Sequence, residues 1–189
     1  MEAEIAGKAI SVENATDHDM DDIMMVLLSN ASEPALYKRN AQDIYRNLPD
    51  FLIAKDSSDR ILGCAAVHQD TEELVELLSV AVKPGSQRHG IGQMLVKHAI
   101  LKVATLKSKY LWLTTTRPRY FVRFGFQTTT MSKLPLLLRL SMIHRVFHQP
   151  VKRWLLVFSG SFTFMTMVLG NSTCRTISSS TGSAGHCEK

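Results

Sequence analysis

Residues 87–92, QRHGIG, stand between a run of residues that predicts a strand and one that predicts a helix. The two glycines, Gly90 and Gly92, follow an arginine and a histidine. The first backbone N–H groups of a helix have no partner inside it and carry partial positive charge. Glycines let an anion approach those groups, and Arg88 adds a fixed positive charge. The pattern predicts a phosphate-binding loop, and the alternative is a simple turn between strand and helix.

The elements on either side of this loop determine where it would lie. LVELLSVAV (74–82) predicts a strand buried on both faces, which Lys83-Pro84-Gly85 ends. After the glycines, apolar residues at near-helical spacing predict a helix that continues to about Lys107. The glycine spacing matches neither the P-loop, GxxxxGK[ST], nor the dinucleotide-binding GxGxxG. The predicted loop therefore belongs to a different kind of phosphate site.

The rest of the chain predicts alternating strands and helices. Thr16 or Asp17 can cap a helix within 16–30, and two apolar runs joined by a polar turn predict a hairpin at 51–68. The other predicted elements are a strand at 9–15, a helix at about 35–47, a strand at 110–116, a short helix at 117–124, an inserted helical pair at 133–158, a closing strand at 161–170 and a disordered tail at 171–189. This order predicts one α/β domain over residues 1–170 with a mixed sheet.

Charge is distributed unevenly along the chain. Residues 1–82 hold 16 Asp and Glu against 6 Lys and Arg, whereas residues 83–189 hold 1 acidic residue against 16 basic ones. The basic residues of the second half are dispersed, and RYFVRFGF (119–126) is their only cluster with aromatic residues. We therefore expect no nucleic-acid partner, and a phosphorylated cofactor accounts equally well for the basic half.

Cysteine content and hydropathy bear on location. Three cysteines without a CxxC pair suit a reducing compartment, and MEAEIAGKAI has acids where a signal peptide carries bases, so we expect a cytoplasmic protein. The uncharged run 154–170 reaches the lower length limit of a membrane-spanning helix. Its alternating aromatic and β-branched residues favour a buried strand, so no membrane association is expected. A membrane-tethered protein is the alternative.

Two segments carry a resemblance to a known family. Residues 87–92 resemble the pyrophosphate-binding segment of the GNAT acetyltransferases, Q/R-x-x-G-x-G/A, with Gln87, Gly90 and Gly92 at the defining positions. YFVRFGF (120–126) resembles the short helix and Gly-Phe turn that follow the next strand in that family. The longer segment LTTTRPRYFVRFGF is weakly similar to the acetyltransferase domain of N-acetylglutamate synthases. The resemblance implies the GNAT fold, a mixed and mostly antiparallel sheet with a splayed parallel strand pair, flanked by helices.

The resemblance also implies acetyl-CoA as cosubstrate. In the family, the strand before the loop pairs with the pantetheine arm, a role that falls here to Val80, Ala81 and Val82. The N–H group near Val80 would also face the thioester oxygen and stabilise the oxyanion. Binding of the pyrophosphate through backbone N–H groups falls to Gln87, Arg88, His89, Gly90, Ile91, Gly92 and Gln93.

The same resemblance suggests catalytic residues. Glu76 stands six positions before the strand's end, where several family members carry a catalytic glutamate. Apolar surroundings raise the pKa of a carboxylate, so we expect Glu76 to be the general base, acting through water; a glutamate paired with arginine or at a sheet edge is the alternative. Many members use a tyrosine at the position of Phe121 as general acid, and phenylalanine has no proton to give. Tyr120 is a possible substitute, while a packing role for Tyr120 and water as the acid are the alternatives.

Other polar residues give weaker signals. Arg117, Arg119 and Arg123 could contact the 3′-phosphate of CoA or an acidic substrate, or could lie on a solvated face. His144 and His148 could share a helix face as metal ligands do, but no third ligand stands near them, so no metal is expected.

The residues and the resemblance together predict an acetyl-CoA-dependent N-acetyltransferase that acts by direct attack. The preferred acceptor is the amine of a small amino acid or related metabolite, and a protein N-terminus or lysine is the alternative. A non-catalytic acyl-CoA-binding regulatory module is the alternative of another class, which Phe121 and the 133–158 insert leave open. The sequence identifies neither the acceptor nor the oligomeric state.

Overall fold

The computed structural model describes residues 3–5, 8–30, 41–130, 132, 136, 139–140 and 163–169. The strands are β1 (Ala3–Ile5), β2 (Lys8–Asn14), β3 (Phe51–Asp56), β4 (Ile61–Gln69), β5 (Leu74–Val82), β6 (Tyr110–Thr115), β7 (Gln127–Thr128) and β8 (Thr163–Val168). The helices are α1 (Met20–Ser29), α2 (Ala41–Arg46), α3 (Ile91–Thr105) and α4 (Pro118–Val122), with 3₁₀ turns at Asp17–Asp19, Leu48–Asp50 and Pro84–Ser86.

These strands form one sheet in the order β1-β2-β3-β4-β5-β6-β8-β7. Among the described strands, β5 and β6 form the parallel pair, and the other neighbours are antiparallel. The connection between β5 and β6 contains α3, as a parallel crossover requires. The predicted mixed, mostly antiparallel sheet with helices on its faces is confirmed.

Alternate residues of the sheet face two separate cores. On β3, Leu52 and Ala54 pack on the side that α3 covers, whereas Phe51 and Ile53 pack on the side of α1 and α2. This alternation is the side-chain period of a strand, and it explains why β3 reads as a continuous apolar run. The apolar face of α1 is buried in the second core through Ile23, Val26 and Leu27.

A glycine in β4 determines how closely α3 approaches the sheet. A Cβ atom on Gly63 would lie 2.8 Å from the backbone oxygen of Ala81, 3.1 Å from Leu95 Cδ1 and 3.3 Å from Ile91 Cγ2. Gly63 pairs with Val82, the last residue of β5, so the close contact lies where β5 ends and α3 begins. The absence of a side chain at Gly63 thus lets the first turn of α3 lie against the end of β5.

Several predicted boundaries differ from the structure. The strand predicted at 9–15 is Lys8–Asn14, and the closing strand predicted at 161–170 is Thr163–Val168 within the described residues. The first helix begins with a 3₁₀ turn, because both the backbone N–H and the hydroxyl of Thr16 donate to Asp19 Oδ2, at 2.8 and 2.7 Å. Thr16 therefore caps the 3₁₀ turn, as one of the two alternatives predicted, whereas Asp19 stands at the N-cap position of α1 itself.

Burial along β5 is the main correction. Its bounds agree with the prediction, but only the first half is buried on both faces: Leu74–Leu77 are buried, whereas Leu78, Ser79, Val80 and Val82 are half-buried. Two strands, β1 and β7, were outside the predictions, because three and two residues are too short to show a period.

Other predictions fall partly or wholly outside the described residues. The second helix, predicted at 35–47, is α2 from Ala41 to Arg46, and residues 31–40 lie outside them. The helical pair at 133–158 also lies outside, except for residues 136, 139 and 140, which are helical. The tail at 171–189 lies outside entirely.

The apolar run at 154–170 contains strand β8, which pairs with β6 and β7. The prediction of a strand is confirmed for residues 163–168. Within the described ranges, no helix combines the length and hydropathy needed to cross a membrane.

Replacing Gly63 with alanine tests the contact between α3 and the sheet. We expect Gly63→Ala to lower the free energy of unfolding by about 1–3 kcal/mol, because its closest contact is a backbone oxygen that cannot move aside. Urea denaturation measures the change. Gly85→Ala is the matched control, since a Cβ there meets nothing within 4 Å. Equal stability of the two variants would show that α3 does not press on Gly63.

Candidate active site

Strands β5 and β6 pair only over their first residues. The ladder consists of Leu74 with Tyr110, Val75 with Leu111 and Glu76 with Trp112. Beyond this point β5 continues for six residues to Val82, while β6 continues to Thr115 paired with β8. Residues 77–82 therefore lie outside the β5–β6 ladder, and the two parallel strands part after Glu76. The predicted splay is present.

A β-bulge lies inside the parted segment of β5. Cys64 pairs with Ala81 and Ala66 pairs with Leu78, so three steps on β5 oppose two steps on β4. Ser79 adopts φ 55°, the left-handed region that a serine enters at some cost in energy. The extra residue places Leu78 and Ala81 in the same core, although an unbroken strand would point them to opposite faces. The bulge thus reorients the backbone directly before Val80.

The predicted phosphate loop follows β5. Arg88 and Gly90 have φ of 64° and 82°, and Gly90 caps α3, whose first hydrogen bond runs from Met94 N to Gly90 O at 2.9 Å. Gly90 supplies the left-handed conformation without a Cβ penalty. Arg88 and His89 are exposed, whereas the Ile91 side chain is buried, so Ile91 can offer a ligand only its backbone. The N–H groups of residues 91–93 begin the helix and lack partners within it.

The Gln87 side chain is directed back toward β5. Its Nε2 donates to Val82 O at 3.2 Å and to Asn30 Oδ1 at 3.3 Å. Gln87, the first residue of the motif, therefore ties the loop to Asn30 and to the end of β5. The sequence pattern gave no signal for Asn30, which stands 57 positions away from Gln87.

Glu76 is buried at the last paired position before the strands part, with 1% of its surface exposed. His68 on β4 and Trp112 on β6 are its neighbours across the sheet, so the three side chains share one face. Nearer the bulge, Ala66 and Leu78 lie on the same face of the sheet, and there they pack against α1 and α2. A carboxylate there can accept a proton from a group that enters the opening between β5 and β6.

An Asp–His pair lies beside Glu76. His68 Nδ1 and Asp50 Oδ2 are 2.5 Å apart, and both side chains are partly exposed. Trp112 Nε1 donates to Asp70 Oδ2 at 2.9 Å on the other side of Glu76. No pattern in the sequence indicated the pairing of Asp50 with His68. The short connection between β4 and β5 could have indicated His68, because it places His68 opposite Glu76.

Tyr120 lies at the loop end of the opening. Its hydroxyl is 2.8 Å from the position that a Cβ on Gly92 would take, and Val82 Cγ2 is 3.7 Å from the same position. Gly92 therefore makes room for Tyr120. Burial raises the pKa of the Tyr120 hydroxyl, and Arg123, 4.9 Å over the ring, acts in the opposite direction. Tyr120 thus lies near the end of β5, six residues along the strand from Glu76.

The remaining candidates contribute less to this site. Phe121 is buried, with Tyr120 and Phe126 as edge-on neighbours. Arg117, directly before α4, and Arg119 on α4 are exposed. His144 and His148 lie outside the described residues, and in the part of the chain that is described no three His, Cys, Asp or Glu side chains are grouped to hold a metal ion.

A protein-family model matches the part of the chain that contains most of this site. Residues 47–128 match the model described as acetyltransferase (GNAT) domain. The match runs from the turn before β3 to β7, so it contains Glu76, the parted strands, the loop and α4.

Two sequence relatives point the same way. An uncharacterized N-acetyltransferase from Chlorobaculum tepidum is 27% identical over 124 residues, 66% of this chain and 79% of that protein. An amino-acid acetyltransferase from Mycobacterium tuberculosis is 29% identical over 93 residues, 48% of this chain and 53% of that protein. The second match therefore spans about half the length of that relative.

Two solved structures share the fold. Rv2747 from Mycobacterium tuberculosis, in complex with CoA and NLQ, has a TM-score of 0.74 and 22% identity, covering 84% of this chain and 99% of that one. N-acetylglutamate synthase from Neisseria gonorrhoeae, complexed with CoA and N-acetyl-glutamate, has a TM-score of 0.69 and 21% identity, covering 86% of this chain and 35% of that one. The predicted structural likeness to such synthases is confirmed. The loop motif, the parted strands and these matches agree: residues 47–128 are similar to the acetyltransferase (GNAT) domain, and the fold is that of the GNAT acetyltransferases.

Proposed function

We propose that this protein transfers the acetyl group of acetyl-CoA to the amine of a small amino acid or related metabolite, with Glu76 as general base. One observation carries the proposal: a buried carboxylate lies where two parallel strands part, six residues before the end of the strand that leads into a glycine-containing loop and a helix. The parted strand, the loop and the carboxylate supply what the reaction needs, namely a donor site, an anion site and a base.

The donor binds along β5 in this proposal. Backbone groups of Val80, Ala81 and Val82 lie beyond the β5–β6 ladder, so the pantetheine arm can pair with them as an added strand would. The pyrophosphate reaches residues 87–93, where the helix N-terminus and the exposed Arg88 favour an anion. The Val80 N–H follows the left-handed Ser79 and serves as the donor to the thioester oxygen.

The reaction is an attack of the neutral amine on the thioester carbon. Glu76 removes one proton from the amine through a water molecule, and the nitrogen forms its bond to the carbonyl carbon. The Val80 N–H stabilises the oxyanion until the carbon–sulfur bond breaks and the amide remains. The thiolate of CoA takes up one proton. His68 and Asp50, which are partly exposed beside Glu76, offer the proton a route to solvent.

The choice of acceptor is supported by the sequence relatives. The Mycobacterium tuberculosis relative is named an amino-acid acetyltransferase, and its match covers residues of the same domain. A protein N-terminus or lysine is the alternative acceptor. The alternative of another class is a non-catalytic module that binds acyl-CoA, and the loss of a family tyrosine at Phe121 is the feature that favours it.

A panel of acceptors tests the proposed reaction. We expect the purified chain to release free thiol from acetyl-CoA with amino acids and related small amines, and not with peptides that carry lysine or a free N-terminus. Thermal shift with CoA is measured in parallel. Release with peptides alone would move the acceptor to the alternative, binding without release would favour the non-catalytic module, and neither binding nor release would exclude both.

Replacing Glu76 with glutamine tests the base. We expect Glu76→Gln to lower kcat by about 10²–10⁴-fold, because a glutamine cannot accept the amine proton. The Kd of CoA should stay unchanged, since donor binding uses the backbone further along β5. Glu73→Gln is the matched control: Glu73 is partly exposed and paired with Lys109 at the start of the same strand. If Glu76→Gln keeps full turnover, another group is the base.

Replacing Tyr120 with phenylalanine tests the acid. A thiol has a pKa of about 8.5, so its thiolate is a good leaving group and gains little from protonation. Burial keeps the Tyr120 hydroxyl protonated near neutral pH, yet this group lies at Gly92, away from Glu76. We therefore expect Tyr120→Phe to lower kcat by less than about tenfold, measured under saturating substrates. A loss as large as that of Glu76→Gln would make Tyr120 an essential acid.

A further inference from the structure

A buried amide at the end of α1 joins three parts of the fold. Asn30 is 6% exposed and follows directly after α1. Its Nδ2 donates to Val26 O at 2.8 Å, in the last turn of α1, and to Val82 O at 3.1 Å, at the last residue of β5. Its Oδ1 accepts the bond from Gln87 Nε2. One side chain therefore contacts the helix, the end of β5 and the loop.

The carbonyl of Val82 is the common point of these contacts. It accepts from Asn30 at 3.1 Å and from Gln87 at 3.2 Å. Val82 ends the segment along which the donor arm would pair, and Gln87 begins the loop that would hold the pyrophosphate. Because Lys83 N also donates to Leu62 O at 2.8 Å, the chain is fixed on both sides of this point. The spacing between strand end and loop is thus set by Asn30 and Gln87.

We propose that Asn30, with Gln87, is a positioning residue for acetyl-CoA: it holds the end of β5 and the start of the loop at the separation that the cofactor must span. Gln87 acts through this contact, and its amide group is used on Val82 and Asn30 instead of on the phosphates. The proposal rests on acetyl-CoA as donor and is independent of the acceptor. A binding test with CoA therefore separates its failure from failure of the proposed reaction.

The test compares two asparagines with the same local contact. Asn47 Nδ2 donates to Asp43 O at 2.6 Å, four residues back at the end of α2, as Asn30 Nδ2 does to Val26 O at the end of α1. Asn30 also reaches β5 and the loop, through Val82 O and Gln87 Nε2. We expect Asn30→Ala to raise the Kd of CoA about tenfold, measured by calorimetry on the full chain, because hydrogen bonds that fix the loop are lost. Asn47→Ala should leave this Kd within about twofold while urea denaturation shows a similar loss of stability.

A double-variant cycle separates positioning from direct contact with phosphate. If Asn30 and Gln87 act as one unit, Asn30→Ala/Gln87→Ala should raise the Kd of CoA no more than the larger single change. If Gln87 binds phosphate independently, the two fold-changes multiply, and the proposal is overturned. Since Gln87 is exposed, Gln87→Ala should fold even where Asn30→Ala does not, and an unchanged Kd of CoA in Gln87→Ala would also overturn it.

Turnover gives a further readout that a loss of stability alone would not produce. With the acceptor that the panel identifies, Asn30→Ala should raise the KM for acetyl-CoA by about the same factor as the Kd of CoA, and kcat should stay close to the wild-type value. A fall in kcat with unchanged KM would contradict the proposed role.

Discussion

The site depends on the short length of the ladder between β5 and β6. Buried backbone N–H and C=O groups need partners, and in a continuous sheet the neighbouring strand provides them. Here the shared ladder ends at Glu76 and Trp112, and β6 continues in partnership with β8. The backbone of β5 beyond Glu76 is consequently available to an added strand-like ligand. A longer ladder would leave the carboxylate inside a closed sheet.

The elements around the opening hold this arrangement in place. The bulge at Ser79 shifts the side-chain alternation, so β5 can keep its contacts with both cores while its backbone changes direction. Gly63 lets α3 approach the end of β5, and Gly92 leaves room for the Tyr120 hydroxyl. These two glycines act through close packing, whereas Gly90 acts through its left-handed conformation. The three glycines therefore meet two different physical requirements, close packing and a left-handed backbone.

Much of the site could be predicted from the sequence, because its main elements follow one another along the chain. The strand at 74–82, the loop and α3 follow one another, and their patterns and glycines predict both structure and role. The contacts of Asn30 and the pairing of Asp50 with His68 could not be predicted, because they join residues 52, 57 and 18 positions apart that share no pattern. The sequence predicted that the whole of β5 is buried on both faces, and this was wrong for its second half. The apolar residues there do not reveal that the neighbouring strand β6 departs.

Donor and acceptor recognition differ in how the chain encodes them. In the proposed reaction, the donor would bind mainly backbone groups of one continuous segment, 77–93, and backbone groups survive most changes of side chain. The acceptor would instead meet side chains from separate elements, with Asp50, His68, Glu76 and Trp112 in contact or adjacent across the sheet. Single substitutions can alter that surface without disturbing the donor site. The fold is retained at 22% identity to Rv2747, and the backbone path of β5 and the loop belongs to that fold, whereas the side chains around Glu76 can change independently of it.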